Sequence, residues 1–487
     1  MTPARRRELL LDALHAVLGA GHVQVLEAEL EPWTRDWRGR YQGRALALAS
    51  PESTAQVAQL IELCAAHEVA VVPQGGNTGL VGGATPDASG QQLLLSLRRM
   101  QRIRALSPVD GVVVAEAGCV VQHVQQQAQQ QGMLFPLSLA AEGSATIGGV
   151  LSTNAGGTAV LRYGNARALC LGLEVVTAQG RIWNGLSSLR KDNTGYDLRD
   201  LFIGAEGTLG VITAASLQLF PLPAAQCTAI AQLARVADAV ELLQRARAAL
   251  GAGLTAFELM SAHSVQLVQE HFPQLGGGLQ AQAPWCVLLE FSDSESQAHA
   301  RQRLEQLLAD GLDGGLVRDA VVAQSLAQAQ AMWALREHIP LAQSRQGLNI
   351  KHDIAVPISA MAAFVESTAE LVLECCPEAR LVVFGHLGDG NLHYNVQAPR
   401  GGDAAEFLRR HQAACNRIVH DAAAACGGSF SAEHGIGQLK TSELQRYKSP
   451  LALELMRALK AALDPRGLLN PGKVLPPEAA GTDGDKP

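Results

Sequence analysis

Two long glycine-rich stretches constrain this chain more than any other feature. "PQGGNTGLVGGATP" occupies residues 73–86, and "AEGSATIGGVLSTNAGG" occupies residues 141–157. Glycine clustered with Asn, Ser and Thr lets a backbone approach a ligand closely and present several N–H donors at once, which suits a pyrophosphate. The alternative is a pair of tight surface turns. Two such stretches, each after a strand-like segment, favour the ligand-binding interpretation.

The segments around these stretches predict mixed helices and strands. A helix is predicted to begin near residues 50–53, with Pro51 in its first turn, and to end before the strand "VAVVP". Further strand-like segments follow: "QLLLSL", "GVVVAEAG", "LGLEVVTAQG" and "LGVITAASLQLFPLP". The order is not a regular βαβ repeat. The one G-x-G-x-x-A match, "GAGLTA" at 251–256, follows a predicted helix where a strand is required, so a Rossmann site is not predicted.

Charge, cysteine usage and hydropathy narrow the class of protein. There are 39 Lys and Arg residues against 46 Asp and Glu, and the net charge of −7 without a long basic run argues against nucleic-acid binding. The nine cysteines form no C-x-x-C pair, which indicates reduced thiols in a cytoplasm. Residues 1–23 read as an amphipathic surface helix, and since about 18 consecutive apolar residues are needed to span a bilayer, no transmembrane segment is predicted.

Five short motifs are typical of one flavoprotein fold. "PQGGNTGLVGG", "IGGVLSTNAGG", "RYGN", "RKDNTGYDL" and "FIGAEGTLGVIT" together resemble the FAD-binding domain of the vanillyl-alcohol oxidase and p-cresol methylhydroxylase type. In that fold, glycine-rich loops hold the flavin pyrophosphate in place of a Rossmann helix. With the later motifs, nearly the whole chain resembles the FAD-linked D-2-hydroxyacid dehydrogenase family, in the branch that includes the D-2-hydroxyglutarate enzymes.

The resemblance implies an α+β fold in several parts. We expect a two-part FAD-binding domain, an α/β substrate domain with an antiparallel sheet, and a small C-terminal helical part closing on the flavin. A break at "PLPAAQ", 221–226, supports the main boundary. The predicted parts are an N-terminal helical segment 1–40, the FAD-binding domain 41–221, the substrate-binding domain 222–425, the C-terminal helical part 426–475 and a flexible tail 476–487.

The resemblance also implies a set of cofactor-binding residues. They are Pro73, Gln74, Gly75, Gly76, Asn77, Thr78, Gly79, Leu80, Ser138, Gly143, Ala145, Thr146, Gly148, Gly149, Ser152, Glu206, Gly207, Gly210, Ile212 and Asn470. Members that attach FAD covalently often carry a histidine in the first loop, where this chain has Asn77, so we expect non-covalent FAD. Val150 stands where the branch often has asparagine, which removes an amide contact.

"GHLGDGNLH", residues 385–393, predicts a strand, a turn and a second strand. His386 leaves the first strand and His393 enters the second, so a hairpin can aim both imidazoles to one side. Two imidazoles and a carboxylate such as Glu433 form a common zinc set, although the spacing alone also fits hydrogen-bonded loop residues. By resemblance, His386, His393 and Glu433 bind Zn²⁺ or another divalent metal, and His434 is the catalytic base that also contacts the substrate.

Basic residues between 332 and 358 are candidates for binding substrate carboxylates. On spacing alone, Arg336 and Lys351 read as solvated charges. The resemblance identifies them, together with Asn395, as substrate-binding residues. The hydroxyglutarate enzymes carry a threonine four residues after this arginine, whereas this chain has Pro340; Ser344, Arg345 or Asn395 are the candidates to replace its hydroxyl.

The sequence therefore predicts an FAD-dependent D-2-hydroxyacid dehydrogenase, with D-2-hydroxyglutarate as the leading substrate. D-lactate, D-malate and glycolate are alternatives. An electron-transfer flavoprotein or a quinone is the expected electron acceptor, and a homodimer is the expected assembly. Two rivals from other classes are a zinc-dependent hydrolase, which leaves both glycine stretches unexplained, and a non-catalytic flavoprotein subunit, which leaves His434 and Arg336 unexplained.

Overall fold

The structure, a computed structural model, describes residues 3–275 and 282–476 of the chain. From residue 477 onward the predicted tail lies outside these residues. Within the described ranges the helices are α1 (Pro3–Leu18), α2 (Glu27–Thr34), α3 (Thr54–Ala66), α4 (Val121–Gln130), α5 (Ile147–Ser152), α6 (Val160–Tyr163), α7 (Ala166–Leu169), α8 (Arg199–Phe202), α9 (Val236–Leu250), α10 (Ala262–His271), α11 (Gln297–Asp313), α12 (Leu326–Glu337), α13 (Ile339–Gln346), α14 (Met361–Cys375), α15 (Ala404–Ala425), α16 (Thr441–Tyr447) and α17 (Pro450–Leu463).

The strands of the described residues are mostly short. They are β1 (Val23–Gln24), β2 (Ala47–Ala49), β3 (Val71–Gln74), β4 (Leu93–Ser96), β5 (Ile103–Ser107), β6 (Val112–Glu116), β7 (Met133–Leu134), β8 (Cys170–Val176), β9 (Ile182–Gly185), β10 (Val211–Gln218), β11 (Phe220–Pro221), β12 (Ala225–Leu233), β13 (Leu254–Ser261), β14 (Trp285–Asp293), β15 (Asp319–Val322), β16 (Asn349–Ile350), β17 (Asp353–Ala355), β18 (Arg380–Gly385) and β19 (Asn391–Gln397). Among these residues, no helix combines the length and the apolar character needed to cross a bilayer.

The chain divides into two compact units. The first comprises Met1–Ala155, Asn165–Pro221 and His434–Pro487, and the second comprises Gly156–Gly164 and Leu222–Glu433. The chain therefore enters the second unit briefly at Gly156–Gly164 and again after Pro221, and it returns to the first unit at His434. The predicted C-terminal part, 426–475, is shared between the units. The five-part division drawn from the sequence stays a prediction.

The first unit contains two sheets. One has the order β1-β2-β4-β3, with β2 and β3 parallel to β4 and β1 antiparallel to β2. The other is a five-stranded antiparallel sheet with the order β5-β6-β10-β8-β9, and a small β7-β11 ribbon lies apart from both. This confirms the predicted two-part FAD-binding fold.

Helices α1 and α3 share the apolar core of the first sheet. Leucines spaced four apart bury one face of α1: Leu10, Leu14 and Leu18. Ser53 caps α3 by accepting a hydrogen bond from Gln56 N at 3.3 Å, so the helix begins at Thr54. Pro51 consequently precedes the helix, and the prediction that it occupies the first turn is wrong.

The second unit contains one antiparallel sheet with helices on both faces. Its order is β15-β12-β14-β13-β18-β19-β16, with β17 also paired to β19. Along β14, Cys286 and Leu288 pack with α10, α12 and α13, whereas Val287 and Leu289 pack with α9, α11, α14 and α15. Because both faces are covered, the central strands are mostly apolar, and Glu258 on β13 and Glu290 on β14 are charged exceptions. The predicted α/β substrate domain with an antiparallel sheet is confirmed.

Candidate active site

The two glycine-rich stretches meet inside the first unit. A Cβ atom on Gly75 would lie 2.3 Å from Thr146 Oγ1, and one on Gly76 would lie 2.2 Å from the Ser144 carbonyl oxygen. A larger side chain at either position would force the loops apart. Arg98 adds hydrogen bonds to the carbonyl oxygens of Gly75 and Gly76, at 3.1 and 2.8 Å. These contacts exclude independent surface turns.

Residues near the C-terminus complete the first loop. The Glu206 carboxylate accepts hydrogen bonds from Ile436 N at 2.7 Å and Gly437 N at 2.8 Å. Burial raises the pKa of Glu206, although these backbone donors act against the rise. Asn470 Nδ2 donates to the carbonyl oxygens of Gly83 and Glu206, at 2.9 and 2.8 Å. The carboxylate of Glu206, a predicted cofactor-binding residue, is therefore hydrogen-bonded to the backbone that follows His434.

Three predicted cofactor residues carry buried oxygen atoms without a hydrogen-bond partner among the described residues: Gln74 Oε1, Thr146 Oγ1 and Asn470 Oδ1. A buried polar atom left unpaired costs about 1–3 kcal/mol. A Cβ added to Gly79, in the same loop, would meet no atom within 4 Å. Unpaired oxygens beside an open glycine loop fit a nucleotide that has hydroxyl, amine and phosphate groups.

The other predicted cofactor residues lie on three segments of the first unit. Pro73 and Gln74 are the last two residues of β3, and the loop after them contains Asn77, Thr78 and Leu80. Asn77 adopts φ +55°, and its side chain donates a hydrogen bond to the Arg35 carbonyl oxygen at 2.9 Å. The remainder lie on the turn before α5, on α5 itself and near the start of β10: Ser138, Gly143, Ala145, Gly148, Gly149, Ser152, Gly207, Gly210 and Ile212. Ala145, Gly148 and Ile212 are buried, as is Val150. The second stretch begins after β7 and an intervening loop at 135–140, so it follows a strand as predicted.

The predicted hairpin around the two histidines is present in the second unit. β18 and β19 pair antiparallel across a turn that Gly385 (φ +155°) and Gly390 (φ +87°) make possible. A Cβ on Gly385 would lie 2.5 Å from the Asn391 carbonyl oxygen, which explains the glycine. The ring centroids of His386 and His393 are 6.0 Å apart. The hairpin therefore brings both imidazoles to one place.

Two carboxylates face these imidazoles. Glu433 Oε1 lies 3.5 Å from His393 Nε2, and Glu433 Oε2 lies 4.0 Å from His386 Nε2. Asp353 Oδ1 lies 4.0 Å from His393 Nδ1, while Asp353 Oδ2 accepts hydrogen bonds from the backbone N–H groups of Ala432 and Glu433. Potential ligand atoms of Asp353, His393 and Glu433 all lie within 4.8 Å of one another. The three predicted ligands converge, and Asp353 joins them.

A third carboxylate, Glu258 on β13, orients His386 from behind. Glu258 Oε1 lies 2.6 Å from His386 Nδ1, and Glu258 Oε2 accepts from Arg336 Nε at 2.8 Å. Burial alone would raise the pKa of Glu258, but His386 and Arg336 lower it to about 2. Burial alone would lower the pKa of His386, yet the Glu258 carboxylate raises it to about 9. Glu258 thus holds the proton on Nδ1 and turns Nε2 toward Glu433.

The residues of this cluster fit a divalent cation. Imidazole nitrogens and carboxylate oxygens are the ligands that zinc accepts, and each histidine has a carboxylate facing its Nδ1. Burial and the nearby Asp353 carboxylate raise the pKa of Glu433 to about 7, although His386 opposes the rise. A bound cation would relieve this repulsion between neighbouring carboxylates.

The predicted substrate-binding residues differ in their surroundings. Arg336 is buried, and its guanidinium carbon lies 4.9 Å above the Phe384 ring; only its Nε is used in the bond to Glu258. Asn395 is also buried, with Oδ1 accepting from His352 N at 3.1 Å and Nδ2 donating to Gln343 Oε1 at 2.9 Å. Both ends of the Asn395 amide therefore bind other parts of the protein. Lys351 is partly exposed, between β16 and β17.

The side chains near Pro340 also have partners of their own. Ser344 Oγ donates to the Pro340 carbonyl oxygen at 3.0 Å. Arg345 donates to the His271 carbonyl oxygen at 2.7 Å, and its guanidinium carbon lies 4.0 Å above the Phe272 ring. With Asn395 engaged as well, all three candidates to replace the missing threonine hydroxyl already make other contacts.

His434, the predicted base, directly follows Glu433 in the chain. It is the first residue of the returning segment of the first unit and is partly exposed. The backbone N–H groups that bind Glu206 belong to the second and third residues after it. The Glu206 carboxylate therefore restrains the chain within three residues of this histidine.

Comparisons with known proteins identify families and relatives that are similar to this chain. Residues 45–185 match the family described as FAD binding domain, and residues 222–474 match the family described as FAD linked oxidases, C-terminal domain. The chain is 42% identical over 471 residues to the mitochondrial D-2-hydroxyglutarate dehydrogenase of Bos taurus, covering 96% of this chain and 84% of the relative. It is 38% identical to a D-2-hydroxyglutarate dehydrogenase of Xanthomonas citri pv. viticola, covering 97% of this chain and 98% of the relative.

A solved structure extends the agreement to the fold. p-Cresol methylhydroxylase with bound substrate superimposes with a TM-score of 0.76 at 16% identity, covering 98% of each chain. At this low identity the likeness concerns the fold alone.

Proposed function

The chain belongs to the FAD-linked oxidase family, in its D-2-hydroxyacid dehydrogenase branch, and from this premise we propose that its substrate is D-2-hydroxyglutarate, oxidised to 2-oxoglutarate. The chain is an FAD-dependent dehydrogenase of D-2-hydroxy acids. The observation that carries the substrate proposal is the convergence of His386, His393 and Glu433 beside the Glu258–Arg336 pair. An arginine next to this cluster can hold a carboxylate of the substrate, and relatives that are 42% and 38% identical carry the name D-2-hydroxyglutarate dehydrogenase.

The protein's own residues have separate tasks in this proposal. Arg336 and Lys351 supply positive charge for the substrate carboxylates, Arg336 through the N–H groups not used by Glu258. His434 takes the proton from the C2 hydroxyl, a role that suits an imidazole with an ordinary pKa of about 6.5. Bound FAD supplies the hydride acceptor, and a divalent cation held by His386, His393 and Glu433 supplies a Lewis acid for the hydroxyl and carboxylate oxygens.

A smaller monocarboxylate, D-lactate, is the second candidate substrate. The observation that favours it is the region of Pro340, where Ser344, Arg345 and Asn395 all bind other protein groups. If none of them is released, the pocket offers fewer donors to a second carboxylate. D-malate tests a dicarboxylate with a shorter carbon chain than 2-hydroxyglutarate, and glycolate tests a monocarboxylate with a shorter carbon chain than lactate.

Substrate identity is tested with purified holoprotein and an artificial dye acceptor. The D and L forms of 2-hydroxyglutarate, malate and lactate, together with glycolate, are compared by kcat/KM. We expect the highest value with D-2-hydroxyglutarate. A higher kcat/KM with D-lactate would establish the second candidate, and no dye reduction with any D-2-hydroxy acid would refute both.

The role of His434 is tested separately. His434→Ala should keep its FAD and its metal but lose about 10²–10⁴-fold in kcat, the usual contribution of a general base. His123→Ala, on the exposed side of α4, is the control and should keep full turnover. Near-normal kcat in His434→Ala would refute the assignment. Release of all flavin on denaturation is expected for non-covalent FAD.

The proposal extends to partners and location. An electron-transfer flavoprotein or a quinone receives the electrons, the protein forms a homodimer, and it works in the cytoplasm. Reoxidation of the substrate-reduced enzyme by each acceptor tests the first part. Light scattering on the purified holoprotein tests the homodimer, and a monomeric mass would refute it. Cell fractionation tests the cytoplasmic location.

A further inference from the structure

Three cysteines of the second unit form a chain of sulfur contacts. Cys375, at the end of α14, has its Sγ 3.8 Å from Cys376 Sγ, which in turn lies 3.8 Å from Cys415 Sγ on α15. Cys375 is exposed, whereas Cys376 and Cys415 are buried. The sulfurs therefore touch in sequence from the surface to the interior. This thiol cluster, Cys375, Cys376 and Cys415, has no part in the proposed oxidation of hydroxy acids.

A histidine lies against the middle sulfur. His411 Nδ1 is 2.9 Å from Cys376 Sγ, and His411 stands one helical turn before Cys415 on α15. The imidazole can accept the thiol proton when Cys376 reacts. Burial and the two neighbouring thiols raise the pKa of Cys376, so this thiol stays protonated against reagents in solvent. Cys375 is the thiol of the cluster that a dissolved reagent reaches first.

We propose that the thiol cluster is an oxidation site for small-molecule disulfides of the glutathione type, and that its stable product is a Cys376–Cys415 disulfide. The exposed Cys375 reacts with the small disulfide first, and Cys376 then transfers the disulfide bond from Cys375 to the buried Cys415. The proposal does not depend on which hydroxy acid the enzyme uses.

The exchange balances in three steps. The Cys375 thiolate attacks the small disulfide, whose S–S bond breaks; a mixed disulfide forms and one small thiol leaves with the Cys375 proton. Cys376 then gives its proton to His411 and attacks the Cys375 sulfur, releasing the second small thiol, which takes up that proton. Cys415 finally attacks the Cys376 sulfur, and the departing Cys375 thiolate takes the Cys415 proton. In total two thiols lose two electrons and two protons to one small disulfide.

Geometry favours the Cys376–Cys415 disulfide, formed in the third step, over the Cys375–Cys376 disulfide, formed in the second. A disulfide between the adjacent residues Cys375 and Cys376 closes a small ring through one peptide bond, and such strained bonds are more easily reduced. A bond between Cys376 and Cys415 instead joins the C-cap residue of α14 to α15, and these two helices pack together. Cross-links that close long loops also constrain the unfolded chain more. The Cys376–Cys415 disulfide should therefore be the stable product of the oxidation.

The test uses the complete holoprotein incubated with glutathione disulfide, alkylated at intervals and digested for mass spectrometry. In the wild type we expect glutathione on Cys375 first and then a linked peptide pair containing Cys376 and Cys415. Cys375→Ser should slow formation of this pair by about tenfold or more, because the two remaining thiols of the cluster, Cys376 and Cys415, are buried. Cys415→Ser should stop at modified Cys375 or at the Cys375–Cys376 bond.

Cys426→Ser is the matched control, because Cys426 lies at the end of the same helix α15 and is partly exposed. It should form the linked pair at the wild-type rate. The proposal is overturned if Cys375 becomes fully modified while no Cys376–Cys415 pair appears, or if Cys375→Ser forms the pair as fast as the wild type. The order of the two wild-type products tests the relay even if a variant fails to fold.

Discussion

The Glu258 carboxylate is the most informative single group to remove, because it bonds His386 and Arg336 at once. Glu258→Gln keeps the size of the side chain but offers one acceptor and one donor where both partners donate. Lowering the Glu258 pKa from 4.5 to about 2 corresponds to about 3 kcal/mol of stability, at 1.36 kcal/mol per pKa unit. This stability is present above pH 4.5 and is lost as the pH falls toward 2.

Metal binding should weaken in the same variant. If the amide introduced by Glu258→Gln donates to Nδ1, the His386 proton moves to Nε2, the nitrogen that faces Glu433. Loss of such a supporting carboxylate typically costs 10- to 100-fold in metal affinity, so we expect a decrease of about this size. Zn²⁺ affinity is measured by competition with a chromophoric chelator on the metal-free protein, and stability by urea unfolding.

Glu290→Gln provides the matched control. Glu290 lies on the neighbouring strand β14 and also bonds α12, but its partners are the neutral groups of Trp333, Thr228 and Thr255. This variant should keep wild-type Zn²⁺ affinity. Equal Zn²⁺ affinity in Glu258→Gln, Glu290→Gln and the wild type would refute the argument that Glu258 prepares His386 for the metal.

Three further predictions concern other residues. Thr146→Val removes a buried hydroxyl without a protein partner among the described residues, so FAD should bind about tenfold more weakly in a fluorescence titration while the apoprotein is no less stable; unchanged FAD affinity would contradict the predicted contact. Burial lowers the pKa of Lys473 to about 8, against attraction from Asp87 and Glu206, so the unfolded chain holds this proton up to higher pH and stability should rise between pH 8 and 10.5. The rise, up to about 3 kcal/mol, should be absent from urea unfolding of Lys473→Met, and an identical pH profile would refute it. Arg336→Lys should lower kcat/KM about 10- to 100-fold through KM, because a lysine cannot bond Glu258 and a substrate carboxylate with a rigid fork; a selective fall in kcat would contradict this role.

Local sequence patterns were sufficient to predict the two glycine loops and the hairpin that contains His386 and His393. The glycine stretches and "GHLGDGNLH" are predictable because glycine permits a close approach or a positive φ wherever it occurs, as at Gly75 and Gly385. Asp353 and Glu258 were missed for the opposite reason. Asp353 reaches the cluster because β17 pairs with β19 so that it lies opposite His393, and this register depends on contacts between distant segments.

The substrate residues show the same limit in another form. Arg336 and Asn395 were identified through family motifs, yet their partners Glu258 and Gln343 lie 78 and 52 residues away in the sequence. Neither partner carries a local signal, since a buried Glu or Gln reads like a surface residue until the strand order is known. Pro340 was predictable as a departure from the family pattern. The bond from Ser344 to the Pro340 carbonyl lies within α13, whereas the bond from Arg345 to the His271 carbonyl depends on how α13 packs against α10.

The bonds that Glu206 and Asn470 make to distant parts of the first unit have a consequence for how the protein is made. Leu469 pairs with Val71 beside the first glycine loop, and Asn470 reaches Gly83. The ribosome releases that loop hundreds of residues before its last partners exist. Flavin loading therefore has to wait until residue 470 has been synthesised, by which point Leu222–Glu433 of the second unit has already been made. A nascent chain stalled before residue 470 should emerge without cofactor, however well its earlier parts have folded.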